Sequence, residues 1–309
     1  MNFIANDTQC PIGNGAGICK NAYDLRRLLK TGVAAIEIGS ITELERFGNE
    51  GNIFYSGKNF TLNSLGLPNP GRKHYEFYMP AMINEIHRAG KKAIVNVAGF
   101  TMEEYGSLTR YAFDWGADYV VENFGCPNIW IEGIQKGILS YDLVGFKKTS
   151  LHVISQNKNE AKEGRIGVKF SPIFDSQHMK EIAIFLNDII EIPIQETLGF
   201  IGFITTQNTV PNCYYEESNT SVISPAGGLS GMAGNAIFPM ALSQVKQFRQ
   251  LLSPKIKIIG VGGINSGEDM YKMIRNGANF VQVTSAYYPN EDLGVFDKIG
   301  AEYLELKEK

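Results

Sequence analysis

The stretch IKIIGVGGINSGEDMYKMIRNGANFVQVTSA, residues 256–286, decides the fold. It opens on an apolar, β-branched run at 256–261, passes through paired glycines, and enters a helix that starts at Ser266 with Glu268 and Asp269 behind it. Acids in a first helical turn are favoured by the helix dipole. A second apolar run follows at 280–283, which makes the stretch one strand–helix–strand unit. Runs that are apolar throughout, without alternation, belong to parallel strands covered on the outside by helices.

The same unit recurs back to the N-terminus. Further strands are predicted at 12–16, 34–38, 93–97, 119–123, 166–170 and 200–205, eight in all. Helical patterns lie at 22–29, 78–88, 102–115, 176–190, 238–252 and 292–307. Eight strands alternating with helical patterns, without a linker or low-complexity tract, predict an α/β fold, a (β/α)8 TIM barrel in one domain over residues 1–309. An open doubly wound sheet is the alternative. A chain of 309 residues, 44% hydrophobic and 20% charged, is ordinary for such a barrel.

Composition narrows the function. A net charge of −3 gives no reason to expect nucleic acid or an anionic membrane as partner. No apolar run approaches the roughly 18–20 residues that span a bilayer. The N-terminus lacks the charged-then-apolar layout of a signal peptide, so a cytoplasmic location is expected. Cys10, Cys19, Cys126 and Cys213 form no CxxC pair and fit a reducing compartment. His74, His87, His152 and His178 show no ligand spacing, and no metal is expected.

Long connections at 40–75, 126–139 and 206–235 each follow the C-terminal end of a strand, the active-site face of this fold. In GVGGINSGED (260–269), Gly262 and Gly263 let backbone amides approach an anion, with a helix N-terminus behind them. Thr284 and Ser285 in VQVTSA (281–286) offer hydroxyls beside the same spot, and PAGGLSG (225–231) adds a third glycine cluster. Three clusters on the last three strands point to a ligand that carries a phosphate. The glycines alone do not say which.

The chemistry sits elsewhere. YVVEN followed by FGCPNIW puts Asn123, Cys126 and Asn128 at one strand tip. A lone cysteine is usually a small buried hydrophobe, but a thiol at a strand tip can act as base or nucleophile. Lys169 lies inside the apolar run RIGVKF and must reach the barrel mouth or an anion, because burying it unpaired is costly.

Taken together, NSLGLPNPG (63–71), NFGCPN (123–128), GVKFSPIFD (167–175), PAGGLSG and GVGGINSGED with VQVTSA resemble, in order, the motif series of dihydroorotate dehydrogenases. The resemblance is to the cysteine-type, class 1-like enzymes, with some class 2-like features. It implies FMN as cofactor and oxidation of dihydroorotate to orotate in pyrimidine biosynthesis. The thiol of Cys126 would remove the C5 proton while a hydride passes from C6 to flavin N5. Lys169 would stabilise charge near flavin N1. Asn63, Asn123, Asn128 and Asn208 would bracket the pyrimidine, a task suited to carboxamides because each offers both donor and acceptor. Thr209 stands where the family has a serine, and backbone at Leu65, Gly66 and Leu67 would hold the carboxylate. FMN would lie against Ala16, Gly17, Gly39, Ser40, Asn96, Asn123, Lys169, Gly228, Gly262, Gly263, Thr284 and Ser285.

The chain departs from that pattern in three places. Soluble cysteine enzymes carry a lysine at the end of strand two, where AAIEIGSIT has Gly39. Conversely NGAGICKN, with Lys20, and Asn96 in IVNVAG resemble the membrane-associated branch, whose strand-one lysine contacts substrate. Lys20 is therefore expected to reach the space that Gly39 leaves empty. The loop TVPNCYYEES after Asn208 departs as well. The electron acceptor stays open, with fumarate or NAD expected ahead of quinone, and a homodimer is allowed. Dihydropyrimidine dehydrogenase-like or dihydrouridine synthase-like reduction, and FMN binding without turnover, are the competing readings.

Overall fold

The computed structural model describes residues 3–5, 9–131, 133–191, 199–288 and 290–308. Eight parallel strands close a barrel: β1 (Ile12–Asn14), β2 (Ala35–Ile41), β3 (Lys92–Val97), β4 (Tyr119–Asn123), β5 (Ile166–Lys169), β6 (Phe203–Thr205), β7 (Lys257–Val261) and β8 (Phe280–Val283). Each strand pairs with its sequence neighbour, and β8 returns to β1 in the register Gly13↔Gln282. The seam between β1 and β2 has one backbone register pair, Gly13↔Ala35. Asn14 completes it: its Nδ2 donates to the Glu37 carbonyl (2.8 Å) and its Oδ1 accepts from the Glu37 N–H (3.0 Å).

Alternation along the strands sorts the barrel into layers. Outward residues such as Ile36, Val95, Val120, Val168, Ile204, Ile258 and Val281 join the core shared with the helices. The inward residues Ala35, Ile94, Val121, Phe203, Ile259 and Phe280 form an apolar layer packed against Ile4 and Ala5. Phe3 lies 5.4 Å from Tyr119 and 5.3 Å from Phe203, ring centre to ring centre, so this segment closes the N-terminal end of the barrel. Two residues further along the strands the interior turns polar, with Glu37, Asn96, Asn123, Lys169, Thr205 and Gln282, all buried. That layer is the floor of the site.

Several elements differ from the sequence reading. The helix predicted at 78–88 spans Arg72–Arg88, with Pro80 inside it. Pro80 is exposed, so the carbonyl freed by its missing N–H faces water rather than core. The helix Leu143–Gln156 is additional, and the Asp142 side chain caps it by accepting from Val144 N–H and Gly145 N–H. The long loops after β2 and β6 are not irregular throughout. They combine into a four-stranded antiparallel sheet, in the order Val210–Cys213, Ser230–Ala233, Thr61–Asn63 and Phe54–Ser56. Among the described residues, no helix is long and apolar enough to cross a membrane.

Candidate active site

A cavity of about 410 Å³ lies at the C-terminal ends of the strands and against the four-stranded sheet. This is within the range of roughly 300–1,000 Å³ usual for cofactor sites. It is lined by Ala16, Gly17, Lys20, Ser40, Asn63, Leu65, Gly66, Leu67, Asn123, Cys126, Asn128, Lys169, Asn208, Thr209, Gly262, Gly263, Thr284 and Ser285. Residues spread over most of the chain thus meet in one place.

Three of the expected cofactor residues do not line it. Gly39 has φ +120°, and a Cβ there would run into the Asn96 carbonyl. It leaves no empty side-chain space for Lys20 to fill, and it acts through its backbone. Asn96 is fully buried below the cavity and reaches it only through Ser40, whose Oγ donates to Asn96 Oδ1. Gly228 closes a turn in the outer loop, where a Cβ would meet the Tyr214 ring and Ser221 Oγ, so it serves loop packing.

The strand tips and the sheet hold the carboxamides in two groups. On the barrel side, Asn208 Nδ2 donates to Asn123 Oδ1 (3.2 Å), and Asn123 Nδ2 donates to Ser40 Oγ (3.0 Å). On the sheet side, Asn128 Nδ2 donates to Asn63 Oδ1 (2.8 Å), and Asn63 Nδ2 donates to the Gly231 carbonyl (3.3 Å). The register Gly231↔Asn63 ties the loop after β6 to the loop after β2, which brings Asn63 beside Thr209.

Charge is unevenly placed. Burial pushes the half-buried Cys126 thiol above its ordinary range, opposed by the Asn128 backbone and by Lys136, Lys169 and Arg46. Arg46 and Lys136 both lie over the Phe100 ring, at 5.0 and 4.9 Å. Lys169 is pushed down by burial, against the attraction of Glu37 and Cys126. Lys20 is likewise pushed down by burial, with Asp24 opposing. Its backbone is fixed at both ends: its N–H donates to Asp24 Oδ2 (2.9 Å), and its carbonyl accepts from Tyr75 Oη (2.9 Å).

The glycine-lined end of the cavity differs in detail from expectation. The helix Gly267–Arg275 satisfies its own N-terminus. Ser266 Oγ accepts from Asp269 N–H (3.2 Å), and Glu302 Oε2 accepts from Gly267 N–H (2.7 Å). The helix Phe238–Leu251 has no side-chain cap, and Ile237 just before it lines the cavity. Gly263, at φ +71°, packs where a Cβ would come within 2.8 Å of Phe238 N. The helix that Gly263 packs against is therefore this one, which runs on from a 3-10 turn at Asn235–Ile237 in which the Phe238 N–H already donates to the Asn235 carbonyl.

Sequence reasoning missed Gln207, Gln282 and Glu37. The first two line the cavity, and Gln207 Nε2, Thr209 Oγ1 and Gln282 Oε1 are buried without a hydrogen-bond partner among the described residues. An unsatisfied buried group costs about 1–3 kcal/mol, so these atoms mark where a polar ligand belongs. Glu37 in AIEIG carried the same signal as Lys169, a charge inside an apolar strand.

The chain matches the family model for dihydroorotate dehydrogenase over residues 1–306. It is 30% identical over 313 residues to a dihydroorotate dehydrogenase (fumarate) of Trypanosoma cruzi, covering 99% of this chain and 92% of that protein. The enzyme of the same name from Saccharomyces paradoxus is 29% identical over 310 residues, covering 99% and 92%. A crystal structure of the Eimeria tenella enzyme, DHODH, in complex with ferulenol superposes with a TM-score of 0.76 at 20% identity. It covers 96% of this chain and 81% of that one, and it shows a shared fold. With its motifs, its barrel and its cavity in agreement with a match over nearly its whole length, the chain belongs to the dihydroorotate dehydrogenase family.

Proposed function

We propose that the chain, as one catalytic domain, oxidises dihydroorotate to orotate in pyrimidine biosynthesis, with FMN as cofactor and Cys126 as base. The observation that carries this is the convergence of Cys126, four carboxamides, two lysines and a glycine-lined anion end on one cavity. Gly262, Gly263, Thr284 and Ser285 would hold the FMN phosphate, with Ala16 and Gly17 beside it. Ser40, Lys169 and the amide of Gln282 would meet the ring system, and the unpartnered Gln282 Oε1 fits a group with a donor to offer. When bound, the flavin supplies the acceptor for the hydride that leaves C6.

The residues of the chain do the rest. Cys126, deprotonated, takes the C5 proton. Asn63 and Asn128 on one side, and Asn123 and Asn208 on the other, fix the pyrimidine edge by pairing donors with acceptors. Lys20 and the backbone at Leu65, Gly66 and Leu67 receive the carboxylate. Lys169 sets a positive charge beside the floor, where electron density accumulates. Fumarate is the proposed oxidant, because the relatives that match over most of their length carry it in their names.

The test is anaerobic mixing of the FMN-loaded protein with dihydroorotate. Bleaching of the flavin band supports the reading, and an unbleached band leaves FMN binding without turnover. Reoxidation by fumarate, NAD, quinone and oxygen in parallel then identifies the acceptor.

A further inference from the structure

Beneath the cavity, Glu37 is a fully buried carboxylate that does not itself line the cavity. Its Oε1 accepts from Asn96 Nδ2 (2.9 Å) and its Oε2 accepts from Gln282 Nε2. Burial raises its pKa above the ordinary carboxylate value, while Lys169 and the two amide donors oppose this, and Lys169 forms no ion pair with it among the described residues. A carboxylate only accepts, so both amides must turn their NH2 groups toward it. The consequence for Gln282 is specific. With Nε2 committed to Glu37, its Oε1 is the atom left over, and that oxygen is buried, without a partner, on a side chain that lines the cavity. Asn96 follows the same logic: its Oδ1 faces Ser40 and accepts a hydrogen bond from the Ser40 hydroxyl.

We propose that Glu37 is a positioning residue, whose carboxylate orients Gln282 so that this side chain presents an acceptor, and not a donor, to the bound ring system. The ligand feature recognised there is an N–H or O–H of the cofactor. A neutral amide at position 37 would accept or donate equally well, and Gln282 would then be free to turn its NH2 to the cavity. The inference rests on the reading of the cavity as an FMN site.

The experiment is FMN titration of the apoprotein of wild type, Glu37→Gln, Gln282→Met and the double variant, with thermal midpoints recorded beside it. Wild-type apoprotein that takes up no FMN overturns the functional reading itself. Given wild-type binding, Gln282→Met is expected to weaken FMN about tenfold or more, as for a lost hydrogen bond to a buried group. Glu37→Gln is expected to do the same, and the double variant to lose no more than the worse single one, because both act through one contact. Additive losses overturn the proposal, as does unchanged affinity in Gln282→Met. The second result decides the matter even if Glu37→Gln fails to fold.

Discussion

Cys126, the proposed base, is a thiol reluctant to lose its proton. Burial raises its pKa above the ordinary value, and Lys136, Lys169 and Arg46 only partly offset this. A base works deprotonated, so flavin reduction by dihydroorotate should rise about tenfold per pH unit below that raised pKa. No plateau should be seen in the ordinary thiol range near ~8.5. Cys126→Ala should keep its FMN and lose about 10² or more in anaerobic stopped-flow reduction, and near-normal reduction in that variant would remove Cys126 from the role. Lys20 is the second decisive residue. Among the described residues its ammonium forms no ion pair, and its backbone is held by Asp24 and Tyr75. Lys20→Ala should weaken orotate binding by roughly 2–4 kcal/mol, the usual cost of stranding a buried charged partner, while FMN content changes much less. Adding Gly39→Lys should not restore binding, because position 39 has φ +120° and its Cβ would meet the Asn96 carbonyl. Orotate titration of the two variants decides both points, and unchanged affinity in Lys20→Ala reopens whether the site takes a carboxylate.

At the scale of elements, the site depends on loops that become sheet. Gly231 shows why: its backbone is ordinary, yet a Cβ would push into Thr209 and come within 3.1 Å of Asn128 Nδ2. Gly231→Ala should therefore displace Thr209 and Asn128 and weaken orotate binding, with FMN binding far less affected, while the overpacking itself costs the fold about 1–3 kcal/mol. An equal loss of FMN would place the damage in the barrel instead. This sheet was not legible in the sequence, because strands such as Thr61–Asn63 are too short to show a period. The barrel strands were legible, since their apolar runs answer to burial on both faces. The helix terminus at the anion end misled for a related reason. Ser266 and its acids announce a helix start, but Ser266 Oγ and Glu302 from the last helix already take N–H groups of its first turn.

For the whole molecule, the decisive pattern is the polar layer laid over an apolar one inside the barrel. The reasoning that singled out Lys169 applies equally to Glu37 and Glu122, also charges within apolar strands. What the sequence does not reveal is their direction: Glu37 points inward to the floor, whereas Glu122 points outward beneath the helix Met102–Asp114. There Thr109 Oγ1 donates to one carboxylate oxygen, and the other has no partner among the described residues. Burial raises Glu122 to about 8, with the Thr109 hydrogen bond opposing. In the unfolded chain it titrates near an ordinary ~4.3. The folded state thus holds a proton that the unfolded state has released between those two values. By linkage, this group's contribution to stability is full at low pH, falls as pH rises through that window, and levels off above about 8. The slope is about 1.4 kcal/mol per pH unit, a few kcal/mol in all. Glu122→Gln keeps an acceptor for Thr109 and removes the titration. Its thermal midpoint should exceed that of wild type at pH 8, with a difference that shrinks steadily toward pH 4.5. A difference that stays constant across this range would mean that Glu122 does not hold its proton in the folded barrel.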